Sequence, residues 1–144
     1  MSDLARILAI DPGERRVGLA VSDPLGVTAQ GLETFDRRGG DLLDHIERVI
    51  GEYGVAHVVV GHPLSMSGRP NTSSLAAEAL ARSIRGRFGV EVTLWDERLS
   101  SHEARRAMAG TGVAKRSKGA VDRVAAVLIL QGFLDSRRQG GETP

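Results

Sequence analysis

Near residue 42 the apolar pattern of this chain passes from short strand-like runs to helical and strand segments in alternation, and that change restricts the fold more than any other feature of the sequence. Before it, Arg6 to Ile10 and Val17 to Val21 are short apolar runs, and Gly31 to Phe35 is a weaker third. Asp11-Pro12-Gly13 separates the first two as a turn, because Pro and Gly break the pattern. Gly18 permits close backbone approach inside the second. Three runs joined by short turns predict an antiparallel meander. After residue 42, Leu42, Leu43, Ile46, Val49 and Ile50 recur at helical spacing. Val58-Val59-Val60, β-branched and apolar throughout, predicts a buried strand ended by Gly61-His62-Pro63. Leu75 to Phe88 predicts a helix with Thr72, Ser73 and Ser74 as cap candidates, and Val90 to Trp95 a further strand. Ser100-Ser101-His102-Glu103 fits a capping box that opens another helix. Lys115 to Gly119 reads as a loop, and Ala120 to Leu134 as the last helix.

Strands alternating with helices in the second half require right-handed parallel crossovers. The predicted fold is therefore α/β: a mixed five-stranded sheet, a three-strand antiparallel meander plus parallel strands, flanked by helices. With 144 residues, 41% of them hydrophobic, the chain can fill one core and not two. Residues 1–136 are expected to form a single domain. The polar, Gly-rich residues 137–144 are expected to be a disordered tail.

Composition removes several kinds of chemistry. The chain has no cysteine, which excludes disulfides, zinc–thiolate sites and thiol nucleophiles. No run approaches the roughly 20 apolar residues of a membrane helix, and the first residues show no basic-then-apolar signal pattern. A cytoplasmic protein without a membrane partner is expected, as a monomer or a weak homodimer. Net charge is only +1, yet Arg105, Arg106, Lys115, Arg116, Lys118 and Arg123 cluster against the single acid Asp122. Such a run is either a phosphate-binding footprint or a solvated loop between helices. Aromatic residues make up 3% of the chain, too few for a broad base-stacking platform.

The carboxylates at strand ends carry most of the chemistry. Asp11 lies just past the first strand and Glu97 just past the last. In open α/β sheets, ligands bind beyond the carboxyl ends of parallel strands where strand order reverses. If those two strands run parallel, both acids reach one edge. Asp122 opens the last helix, on a stripe with Ala125, Ala126, Ile129 and Phe133. A carboxylate on a sheet-facing stripe is costly unless it is paired or metal-bound. Each acid has a plainer reading. Asp11 would serve as a turn aspartate, Glu97 as a partner of Arg98, and Asp122 as a favourable charge at a helix N-terminus. Together, without His or Cys partners, they suit Mg²⁺ or Mn²⁺, and a two-metal site is the expectation. The turn between Gly13 and Gly18 carries Arg15 and Arg16 and could offer N–H groups to a phosphate. His62, at another strand end, is assigned a substrate-lining role.

Four segments resemble the motifs of the YqgF family, the Holliday-junction-resolvase-like proteins also described as pre-16S rRNA nucleases. They are Asp11-Pro-Gly-Glu-Arg-Arg-Val-Gly-Leu-Ala-Val-Ser-Asp23, Val59-Val-Gly-His-Pro-Leu-Ser-Met-Ser-Gly68, Asp96-Glu-Arg-Leu-Ser-Ser101 and Lys118-Gly-Ala-Val-Asp-Arg-Val-Ala-Ala-Val-Leu-Ile-Leu-Gln131. They occur in family order and span nearly the whole chain. The resemblance implies a ribonuclease H-like fold, a nuclease maturing the 5′ end of small-subunit ribosomal RNA, and metal-binding acids at Asp11, Glu97 and Asp122. Substrate contacts fall to Arg15, Arg16, His62, Arg98 and Lys118, and the partner would be structured RNA or branched DNA. His62 stands where the family usually has an apolar residue, Ser65 and Ser67 replace a common Asn and Asp, and Ser101 replaces a common Thr. DNA junction resolvases generally hold four acids, whereas here Asp122 is followed by Arg123, Val124 and Ala125. A non-catalytic RNA-binding assembly or transcription factor, with the acids structural, is the rival reading. A nucleotide-binding domain of the actin and sugar-kinase type is disfavoured, since those proteins need two such domains.

Overall fold

The computed structural model describes residues 5–99 and 118–141, the side chains of residues 99, 118–122 and 139–141 excepted. In chain order the elements are β1 (Arg6–Asp11), β2 (Arg16–Ser22), β3 (Ala29–Gly31), β4 (Phe35–Asp36), α1 (Leu42–Tyr53), β5 (Val55–His62), α2 (Thr72–Phe88), β6 (Glu91–Asp96) and α3 (Lys118–Gly141). Short 3₁₀ turns occupy Arg37–Gly39 and Glu97–Leu99. The expected capping box at Ser100 to Glu103 and the basic residues Arg105, Arg106, Lys115 and Arg116 lie outside the described residues.

The sheet runs in the order β3-β2-β1-β5-β6, with β4 paired to β2. β1 is antiparallel to β2 and parallel to β5, and β5 is parallel to β6. The mixed sheet is thus the one expected, with the meander on one side and the parallel strands on the other. Helices cover both faces. Leu8, Ile10, Val58 and Val60 pack with Leu42, Ile46 and Val49 of α1 and with Ala77, Ala81 and Ile84 of α2. On the opposite face Ile7, Ala9, Ala20 and Val59 meet Ala126, Ile129, Leu130 and Phe133 of α3. A strand buried on both faces cannot alternate apolar with polar, which is why β5 reads as a continuous run of valines.

The third strand departs from expectation. In place of one strand over Gly31 to Phe35 there are two pieces. Ala20 pairs with Gly31 and Val17 with Phe35, so three residues, Leu32 to Thr34, stand opposite two, Gly18 and Leu19. One extra residue is accommodated as a bulge. Arg123 of α3 fixes this corner by donating from Nε to the Leu32 carbonyl at 3.0 Å. Its Cγ would lie 2.5 Å from a Cβ at Gly31, so a side chain there would force Arg123 to shift. Gln131 binds the neighbouring edge, accepting from Ala29 N–H at 3.2 Å and donating to Val27 O at 3.1 Å.

Two helix ends also differ. α2 is capped by Asn71, not by Thr72, Ser73 or Ser74: the Asn71 side chain accepts from Ser74 N–H at 2.8 Å. Ser74 Oγ accepts in return from Asn71 N–H at 2.8 Å, a reciprocal capping box. α3 begins at Lys118 and continues past Arg137, where the sequence suggested a tail, to Gly141. Asp135 supports that extension by accepting from Gln131 at 3.0 Å and from Arg138 at 2.7 Å, pairs one helical turn apart.

His57 of β5 lies edge-on to Phe133 of α3, ring centroids 5.1 Å apart, and its Nε2 is 2.8 Å from Thr93 Oγ1. Burial holds its imidazole below the ordinary value, with Glu91 opposing and Arg137 adding to the shift. The unfolded chain therefore takes up this proton more readily than the folded one, so stability from this group is whole above the ordinary value of 6.5 and drains as pH falls through the folded value. The melting temperature should fall on acidification below that point, and the slope should be shallower in His57→Gln. An identical slope in the variant would remove His57 as a contributor.

Candidate active-site cleft

Three parallel strands deliver polar residues to one edge. β1 ends at Asp11, β5 at His62 and β6 at Asp96, with Glu97 opening the following 3₁₀ turn. Along β1 and β5 side chains alternate between faces. Asp11 follows Ile7 and Ala9 toward the α3 side, while His62 follows Val58 and Val60 toward α1 and α2.

Asp11 and Glu97 line a common cleft of about 540 Å³. They come from strands separated by β5, so their approach depends on what β5 presents between them. It presents Gly61. A Cβ there would stand 3.1 Å from Glu97 Oε2 and 2.9 Å from Ile129 Cδ1. The missing side chain lets the Glu97 carboxylate lie across β5 on the α3 side. Of the expected acid trio, these two share one cleft. Asp122 falls in the first turns of α3, whose residues Ala125, Ala126, Ile129 and Phe133 are buried against the sheet, and its side chain lies outside the described ones. Among the described residues no three acid or imidazole groups converge as a metal site.

The other walls of the cleft come from the turn after β1 (Pro12, Gly13 and Glu14), from Arg37, and from Pro63, Thr72, Ser73 and Ala76 at the start of α2. The β1–β2 turn is tight: a Cβ on Gly13 would collide with the Arg16 carbonyl. Arg15 lies 3.6 Å from Asp36 in an exposed ion pair. Arg16 opens β2 in register with Asp36.

A second polar group sits at the same edge on the α2 side. His62 Nε2 is 2.9 Å from Glu78 Oε2 of α2, and His62 pairs in register with Asp96. Arg98 donates from Nη2 and Nε to Asp96 Oδ2 at 2.6 and 3.0 Å and from Nη1 to the Met66 carbonyl at 3.3 Å. These hydrogen bonds hold the Asp96 carboxyl below its usual range and push Arg98 further up, so both stay charged. Asn71 fastens the other end of the loop after β5, donating to Pro63 O at 2.9 Å and to Ser65 Oγ at 3.2 Å. Arg98 is thereby engaged in bracing that loop. Lys118 begins α3, its side chain outside the described ones.

Several participants were not evident from sequence. Thr72 and Ser73 read as cap candidates and instead face the cleft. Glu78 gave no signal, because its link to His62 crosses from helix to strand. Arg37 reaches the cleft only because β4 folds back on β2.

Residues 5–136 match the family model described as RuvX: Holliday junction resolvase. A protein of Desulfitobacterium hafniense (strain DSM 10664 / DCB-2) named "Putative pre-16S rRNA nuclease" is 42% identical over 135 residues, covering 93% of this chain and 94% of that one. A protein of the same name from Koribacter versatilis (strain Ellin345) is 45% identical over 141 residues, covering 96% and 92%. Among solved structures, Thermus thermophilus RuvC aligns with a TM-score of 0.57 at 17% identity over 93% of this chain and 96% of that chain. RuvC from T. thermophilus in complex with a Holliday junction substrate aligns at 0.54 and 19%, covering 92% and 96%. At such identity the likeness concerns the fold, which is ribonuclease H-like.

The gap at Gly61 is testable without an activity assay. Gly61→Val should destabilise the protein by about 1–3 kcal/mol through overpacking against the fully buried Ile129 and displacement of Glu97. Denaturant unfolding measures this, and a midpoint equal to wild type would show that the space above β5 is not constrained.

Proposed function

Since this chain belongs to the RuvX (YqgF) family, we propose that it is a metal-dependent nuclease that hydrolyses phosphodiester bonds in 5′-end maturation of pre-16S ribosomal RNA. The observation that carries the reading is the meeting of Asp11 and Glu97 in one cleft at the carboxyl edge of the sheet. The residues fit a hard divalent cation, because both acids offer only oxygen donors and the chain has no cysteine. Asp11, Glu97 and Asp122 would hold Mg²⁺ or Mn²⁺, in a two-ion site. When bound, such an ion supplies a water of lowered pKa and compensates charge on the phosphate.

The chain's own side chains bind and orient. Arg15 and Arg16 flank the acid-bearing turn, and Lys118 opens α3 to meet the nucleic-acid backbone. His62, steadied by Glu78, and the loop braced by Arg98 line the approach on the α2 side. No helix among the described residues is long and apolar enough to cross a membrane. A cytoplasmic location, with nucleic acid as partner, completes the reading.

A second reading, a junction-type DNA resolvase, draws on the description of the family model. Against it, Arg123, Val124 and Ala125 follow Asp122 and supply no further acid to that turn.

The test is cleavage of an RNA carrying the precursor 5′ extension and of a four-way DNA junction, each with Mn²⁺ or Mg²⁺. The RNA should be cut, chelation should stop cutting, and Asp11→Asn should abolish it while retaining a cooperative melt. Undiminished turnover in Asp11→Asn would remove that residue from the chemistry. Cutting of the junction alone would favour the resolvase. RNA binding without cutting would favour an assembly factor.

A further inference from the structure

Two arginines face Asp36, and a third beside them in sequence does not. Arg15 and Arg38 place their Nε atoms 3.6 and 3.5 Å from its carboxylate. Arg37, next to Asp36 in sequence, forms no such pair and lines the cleft that holds Asp11 and Glu97. Its backbone N–H donates to Arg15 O at 2.8 Å, and its Nε donates to Gly13 O at 2.9 Å. No carboxylate pairs with it among the described residues. Glu14 lines the same cleft without forming an ion pair to it.

We propose that Arg37 is a further positioning residue, which takes a backbone phosphate of the nucleic acid at the rim of the acid-lined cleft. The inference rests on the nuclease reading and extends it to a residue outside the family motifs quoted above. The Nε bond fixes the guanidinium plane against the turn carrying Asp11, leaving the terminal amino groups for a forked contact with phosphate oxygens. Preorganisation of this kind reduces the side-chain entropy lost on binding. The position also makes electrostatic sense. A polyanion entering a cleft with two carboxylates meets repulsion, and a fixed cation beside them offsets it. Such a contact orients the strand and carries no sequence information.

Binding of the full-length protein to single-stranded RNA and to DNA of the same sequence, in EDTA and across a salt series, tests this. Arg37→Gln should weaken both by about tenfold at about 50 mM salt and lower the slope of log affinity against log salt by about one. Arg37→Lys should restore the slope, and in cleavage assays KM should rise more than kcat falls in the Gln variant. An unchanged slope in Arg37→Gln would overturn the proposal, as would failure of the wild type to bind either strand. So would equal losses in Gln and Lys with equally lowered melting temperatures, the mark of a brace for the Gly13 turn. An effect confined to RNA would overturn it too, since it would place the contact on a 2′-hydroxyl. Wild-type cleavage is measured separately. No cleavage together with an altered slope would end the nuclease reading and leave the phosphate contact standing.

Discussion

The burial of β5 on both faces governs the rest of this structure. Val58, Val59 and Val60 are fully buried between β1 and β6 and between the two helical layers. Nothing polar can be carried along such a strand without loss of hydration. Charged groups therefore gather where the parallel strands stop, and all three stop at the same edge. The site is a consequence of how the core is closed.

That edge is divided by the sheet itself. On the α3 side lie Asp11 and Glu97, which line one cleft, Glu97 lying over the bare Gly61. On the α2 side lie His62, Glu78, Asp96 and Arg98, whose charges are mutually compensated and whose bonds pin a loop. The first group lines an open cleft beside Arg37. The second is settled by internal pairing. Glu97 and Arg98 are neighbours in the chain, yet they fall on opposite sides of this division.

Much of this was legible in the sequence, for a physical reason. β-branched runs and helical spacing report burial directly, so β1, β2, β5, α1 and α2 fall close to where their patterns put them. Asp11 and Glu97 were marked by their position after apolar runs. What escaped depends on contacts between distant segments. The bulge opposite Gly18 and Leu19 is accompanied by Arg123 seated on Gly31 and bonded to the Leu32 carbonyl, a contact that no local pattern encodes. Asn71 caps α2 although three hydroxyl residues follow it. The mate of His62 and the presence of Arg37 at the cleft require the fold before they can be seen.

The bulge between β3 and β4 can also be viewed as a phase setting. Side chains on a strand alternate with a period of two residues, so one residue more or less exchanges the faces of everything downstream. The segment Leu32 to Thr34 spends its extra residue just before Phe35, Asp36 and Arg37. Phe35 is thereby in phase to stack on His45 of α1, ring centroids 4.5 Å apart, and Arg37 is in phase with the turn that carries Asp11. The length of an unremarkable three-residue connection thus sets which side of the sheet receives a cation, and loops of this family member cannot be shortened there as freely as their exposure suggests.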